Sequence, residues 1–138
     1  MTKQAAETGI ELIDRDHHIF RSLIDRLQAE INRGIDEASV AERKKELLTF
    51  LDGHIEFENR VMRAQGFPIV YTHVEEHEAF RAHVCSVLDE VSGAVAVNAV
   101  SKTLKKAHDY HVKHFDAVFC HYLADKYALA IVGEGLGI

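Results

Sequence analysis

Ile13-Asp-Arg-Asp-His17-His-Ile-Phe20-Arg-Ser-Leu-Ile24-Asp-Arg-Leu27-Gln-Ala-Glu-Ile31 repeats large apolar residues at alternating steps of four and three, with His17 in a slot that packing would give to leucine. That spacing is one face of an amphipathic helix, and His18, rotated by about 100°, falls off it. An imidazole turned into a core loses solvation that it recovers only through a partner or a metal. The same substitution recurs down the chain. A second stripe reads Leu47, Phe50, Leu51, His54, Glu58, Val61, and a third reads His73, His77, Phe80, Val84, Val87, Val91. A fourth reads Val100, Leu104, His108, His111, Phe115, Val118, Tyr122. His17, His54, Glu58, His73, His77, His111 and Asp116 thus bring histidines and carboxylates to one interior, and a polynuclear metal site explains them together. Asp116 is the demanding member. It follows His111 by about 140° round an ideal helix, so the pair needs a wide inner face or a local bulge. Apolar Val112, Phe119 and Leu123 on the same side argue that the carboxylate turns inward.

Asn32 and Gly34 close the first helix, expected over residues 14–33. Ser39 with Glu42, and Thr72 with Glu75, make capping-box patterns. Helices are therefore expected over 40–65, ended by Gly66 and Pro68, and over 73–92, ended by Ser92 and Gly93. A fourth is expected over 98–124, followed by a short apolar segment, 125–138, that packs across the bundle or else joins a partner chain. Gly53 interrupts the second helix at a cost of about 1 kcal/mol relative to alanine, which suggests that a neighbour approaches closely there. No alternating β-type run, repeat or low-complexity tract competes. Short loops between long helices make neighbours antiparallel, so the expectation is a single all-α domain over 1–138, an antiparallel up-down-up-down four-helix bundle with the metal centre in its core.

A chain of 138 residues, 47% hydrophobic and 28% charged, buries a real core without staples and has ordinary globular composition. The net charge of −6 speaks against nucleic acid as a partner. Cys85 and Cys120 lie far apart in no CxxC pair and read as reduced core thiols. The opening MTKQAAETGI has no apolar h-region, and no run reaches the ~18 apolar residues of a membrane span. A cytoplasmic protein without a membrane partner is expected.

Imidazole with carboxylate suits iron, zinc or manganese, and the lack of cysteine among the candidates lowers the case for structural zinc. If both carboxylates bridge two ions, and a solvent-derived oxo or hydroxo group bridges them too, the set fills all but one position of two octahedral ions. The remaining position is open to a small exogenous ligand. A bridged pair that changes oxidation state accounts for more of this arrangement than zinc does, which favours iron.

Over about residues 9 to 123 the sequence resembles the haemerythrins, in particular the single-domain bacterial ones. The resemblance is carried by Gly9-Ile10-x-x-Ile13-Asp14-x-x-His17, by His54-x-x-x-Glu58 with Met62, by Gly66-Phe67-Pro68 leading to His73-x-x-x-His77, and by His111-x-x-x-x-Asp116. It implies a non-haem di-iron centre with His73, His77 and His111 on one iron, His17 and His54 on the other, and Glu58 and Asp116 bridging. It further implies reversible O2 binding at the five-coordinate iron, the irons lending two electrons and the bridging hydroxide a proton. On that basis the protein is an O2 binder for storage, delivery or sensing rather than an enzyme, O2 being the partner of a monomer or weak homo-oligomer.

The departures bear on function. Where the family usually has Leu and Trp, three and four residues before the fourth-helix histidine, this chain has His108 and Ala107. His108 stands one turn before His111 and has three readings: a hydrogen-bond donor to a bound ligand in the O2 pocket, a sixth ligand, or a side chain turned aside. A proton donor there keeps open the alternative that the same centre is a redox sensor or a peroxide- or nitric-oxide-reducing enzyme. The usual N-terminal Trp is also missing, with Thr2 near its place, and His18, His83, His114 and His121 fall beside the stripes on solvated faces. His73-Val-Glu-Glu-His77 fits the H-x-x-E-H pattern of inverted zinc proteases, but that reading leaves His17, His54 and His111 without a role. A ferritin-like oxidase would need Glu-x-x-His on two helices, which the chain lacks.

Overall fold

Asp36 begins the second helix, not Ser39. Its carboxylate accepts from the Ser39 backbone N–H at 2.7 Å, so what reads in sequence as a capping residue is itself the capped position. The computed structural model describes residues 8–34, 36–91 and 98–134, and these are all helix and connecting turns. The elements are α1 (Glu11–Asn32), α2 (Glu37–Ala64), α3 (Val70–Asp89), α4 (Asn98–His111), a π-helical turn (Val112–Asp116) and α5 (Ala117–Glu134). Among the described residues there is no strand.

α1 buries Ile13, His17, Phe20, Ile24, Leu27 and Ile31, the stripe its sequence spells out. It starts earlier than expected because the Asp14 carboxylate reaches back to the N–H groups of Thr8 and Gly9 at 2.7 and 3.0 Å, satisfying donors ahead of the first turn. α2 ends in a Schellman motif: Phe67 N–H donates to Met62 C=O at 3.0 Å and Gly66 N–H to Arg63 C=O at 3.2 Å, with Gly66 at φ 67°. Phe67 then packs with Met62 in one apolar cluster. α3 begins at Val70, without a side-chain cap, so the Thr72–Glu75 box is not used and His73 is already inside the helix. It ends at Asp89, and the expected stop at Ser92-Gly93 lies outside the described residues. Thr2 lies outside them too.

α1 packs on α2 and α4, and α3 packs on the same two, closing a helical bundle. Two apolar clusters fill it. One holds Phe20, Ile24, Leu27, Leu47, Phe80 and Leu104, and the other holds Ile13, Met62, Phe67, Phe119, Cys120 and Leu123. The buried polar residues sit between them along each helix.

The last helical stretch contains the main departure from the sequence reading. After His111 the buried positions are Val112, Asp116, Phe119, Cys120 and Leu123, whereas Val118, expected inside, is 43% exposed. Phe115 and Tyr122 are only half-buried. The cause is the π-helical turn, in which Ala117 N–H bonds to Val112 C=O. Bonding of i to i+5 adds one residue to the turn, and every later position on the inner face moves on by one. α5 continues to Glu134, past the end expected near 124. Tyr127 is partly exposed and donates its hydroxyl to Gln65 Oε1 at 2.8 Å. The packing expected for the apolar residues after it concerns side chains outside the described set.

Gly53 is also a correction. A Cβ built there meets nothing within 4 Å, so no neighbour requires glycine. Since the position is exposed mid-helix, Gly53→Ala is expected to raise unfolding free energy by about 0.5–1 kcal/mol through helix propensity. Denaturant titration of the two proteins measures this directly, as a higher midpoint at unchanged slope.

Candidate metal centre

The i, i+4 pairs His54–Glu58 on α2 and His73–His77 on α3 each place two side chains on one face. α1 adds His17, α4 adds His111, and the π-helical turn carries Asp116 back onto the face of His111. All seven expected residues meet in one buried cluster. Among the described residues their ligand-type atoms form two groups within 4.8 Å: Glu58, His73, His77, His111 and Asp116, and His17, His54, Glu58 and Asp116. Both carboxylates belong to both groups.

The distances show how they are shared. Glu58 brings Oε1 to 3.0 Å from His73 Nε2 and from His77 Nε2, and Oε2 to 3.3 Å from His54 Nε2. Asp116 runs alongside, with Oδ1 at 2.9 Å from His73 Nε2 and His111 Nε2, and Oδ2 at 2.9 Å from His17 Nε2. Each carboxylate therefore gives one oxygen to a three-histidine side and the other to a two-histidine side.

A cation fits these residues on an independent ground. His17 Nε2, His54 Nε2, Glu58 Oε2 and Asp116 Oδ2 are buried and, despite their close approach, lack hydrogen-bond partners. Orphaned buried polar atoms are rare and costly, and one positive ion among these four satisfies them together. The donor set, imidazole nitrogen and carboxylate oxygen, suits iron and its borderline neighbours. Electrostatics agree. Burial and the charge of Asp116 push the Glu58 carboxyl up, but the imidazoles of His54, His73 and His77 outweigh them and hold it at about 2. Burial depresses His54, but Glu58 and Asp16 overcome that and raise it to about 9. Burial likewise depresses His111, and Asp116 with Glu76 raises it to about 10. The centre demands positive charge.

Three residues escaped the sequence reading. His54 Nδ1 donates to Asp16 Oδ2 at 2.9 Å, His77 Nδ1 to Asn59 Oδ1 at 2.6 Å, and His111 Nδ1 to Glu76 Oε2 at 2.9 Å. Each of these bonds puts the proton on Nδ1 and leaves the Nε2 lone pair for the centre. The signal was adjacency. Asp16, Asn59 and Glu76 each abut a member of the cluster in sequence, and the 100° offset turns them toward a histidine of the neighbouring helix.

Beside the two-histidine side lies a cavity of about 10 Å3, lined by His17, His54, Phe20, Phe50, Phe80 and His108 among others. That is room for about one water-sized molecule. His108 is buried, so it is not turned aside, and it belongs to neither ligand group. His18, His83, His114 and His121 are exposed. Cys85 and Cys120 are free thiols, the first half-buried and the second buried.

A helical bundle with a buried five-histidine, two-carboxylate cluster defines a class of non-haem metal-binding domain. The family described as Hemerythrin HHE cation binding domain matches residues 8–120, and the chain belongs to the haemerythrin family. It is similar to Bacteriohemerythrin of Pseudomonas aeruginosa (strain LESB58), with 32% identity over 73 residues, 53% of this chain and 47% of the relative. Bacteriohemerythrin of Pseudomonas paraeruginosa (strain DSM 24068 / PA7) gives the same figures. The chain spans about half the length of the curated relatives it matches. No solved structure shows a significant match. No described helix is long and apolar enough to cross a membrane.

Proposed function

We propose that this domain, an antiparallel up-down-up-down bundle, holds two irons and binds O2 reversibly. The observation that carries the reading is the division of each carboxylate between the two histidine groups, which suits two bridged ions better than one. His73, His77 and His111 would hold one iron, His17 and His54 the other, with Glu58, Asp116 and a solvent-derived oxo or hydroxo group between them. Bound as a pair, the irons would supply the electrons that retain O2. The protein's part is to leave one position open and to keep water from it. His17 and His54 of the histidine-poorer side line the cavity, and Phe20, Phe50, Leu51, Ile55 and Phe80 make half of its wall. Asp16, Asn59 and Glu76 hold the imidazoles in orientation.

The buried His108 at the same cavity favours a second reading, a redox sensor or a peroxide- or nitric-oxide-reducing enzyme built on the same centre. One experiment separates them: metal content, and the visible spectrum of the anaerobically reduced protein before air, after air, and after O2 is withdrawn. Two irons per chain with a charge-transfer band that rises in air and falls on deoxygenation is the expected result. Two irons that oxidise once, with no reversible band, would move the function to the second reading. A protein that takes up no iron would remove both.

A further inference from the structure

We propose that His108 is the hydrogen-bond donor of the ligand cavity and makes the site selective for small ligands whose outer atom is a strong acceptor, such as a reduced or anionic diatomic. The inference rests on the two-iron reading and adds a ligand class to it. His108 is 4% exposed and lines the cavity beside His17 and His54. Its ring lies 5.0 Å from that of His17 and 5.0 Å from that of Phe20, centroid to centroid, so it is wedged between the two-histidine side and the aromatic wall. Its Nδ1 is buried and has no partner.

The Nδ1 atoms of His54, His77 and His111 are all engaged, whereas that of His108, like that of His17, has no partner, and His108 alone of these belongs to neither ligand group. Leaving a buried imidazole nitrogen unpaired costs stability, so a leucine would serve the fold better. An imidazole carries at least one N–H, and at His108 the fold leaves a ring nitrogen unused. Apart from His108 and the cluster residues His17, His54, His111 and Asp116, the rest of the cavity wall, Phe20, Phe50, Leu51, Ile55 and Phe80, offers no polar side-chain atom. His108 is therefore the wall residue outside the ligand cluster that can donate to an acceptor atom in the cavity, in a dry site where such a bond counts for most.

The test uses the iron-loaded, oxidised protein with cyanide as a two-atom anionic probe, comparing wild type with His108→Leu and with His108→Gln, which keeps an N–H. The expected result is cyanide affinity about 10- to 100-fold weaker in the leucine variant, the range of a hydrogen bond to a charged group, and largely restored in the glutamine variant. The C–N stretch should shift between H2O and D2O in wild type and not in His108→Leu. The metal-free protein gives a readout independent of iron: His108→Leu should melt higher, since it deletes an unsatisfied buried group. Equal cyanide affinity in all three proteins would overturn the role of His108 and leave the two-iron reading standing. Iron-loaded wild type that takes no cyanide would overturn the inference, whereas a chain that loads fewer than two irons would overturn the two-iron reading. A lower melting temperature for metal-free His108→Leu would show that His108 is a structural residue and overturn the inference.

Discussion

Glu58→Ala is expected to lower iron content from two per chain to well under one. Glu58 is fully buried, and its two oxygens serve both histidine groups, so its loss would open the coordination of both proposed ions at once. The remaining histidines and Asp116 do not replace a bridge. The metal-free protein should also lose of order 3 kcal/mol, because the removed carboxylate compensates the imidazoles of His54, His73 and His77. Glu58→Gln separates the two effects: it keeps the side chain's shape and an acceptor, so the fold should hold while iron is still lost. Metal analysis with circular dichroism on the same samples checks this, and full retention of both irons in either variant would remove Glu58 from the bridging position.

Glu76→Ala is expected to weaken iron retention by about 10- to 100-fold, although Glu76 touches no proposed metal position. Its carboxylate accepts from His111 Nδ1 at 2.9 Å, fixes which nitrogen carries the proton, and raises the basicity of Nε2. Loss of the acceptor frees the ring to rotate or change tautomer. The exposed Glu78, two residues on, is the matched control, and Glu78→Ala should leave retention unchanged. Competition with a chelator at several concentrations reads the difference. Equal retention in the two variants would mean that packing against Phe80 and Phe115, both stacked on His111, orients the ring unaided.

All seven cluster members were legible in the sequence because orientation toward a core is a local property. On α1 the buried set is the apolar stripe, residue for residue, with His17 in it. The His54–Glu58 and His73–His77 pairs needed only the pitch of a helix to share a face. Helix starts were less legible. Asp36 and Ser39 are both good capping residues, and only the backbone path decides which side chain meets which N–H. Gly53 misled for the opposite reason, since a glycine with no structural demand reads like one with a close neighbour.

The residues alone show four helical stretches carrying histidines and carboxylates to a common interior, and show that Asp116 needs a wide inner face or a local bulge to join His111. Only the tertiary structure decided that the bulge is a π-helical turn, which moves Phe119, Cys120 and Leu123 inside and Val118 out. It alone decided which oxygen of Glu58 and Asp116 meets which histidine, that Asp16, Asn59 and Glu76 hold Nδ1 atoms across helices, and that His108 faces a cavity. Periodicity is fixed by the chain's own dihedral angles, one helix at a time. Contacts between atoms on different helices depend on how far each helix is rotated and slid along its neighbours, and that is set by the packing of all the side chains at once.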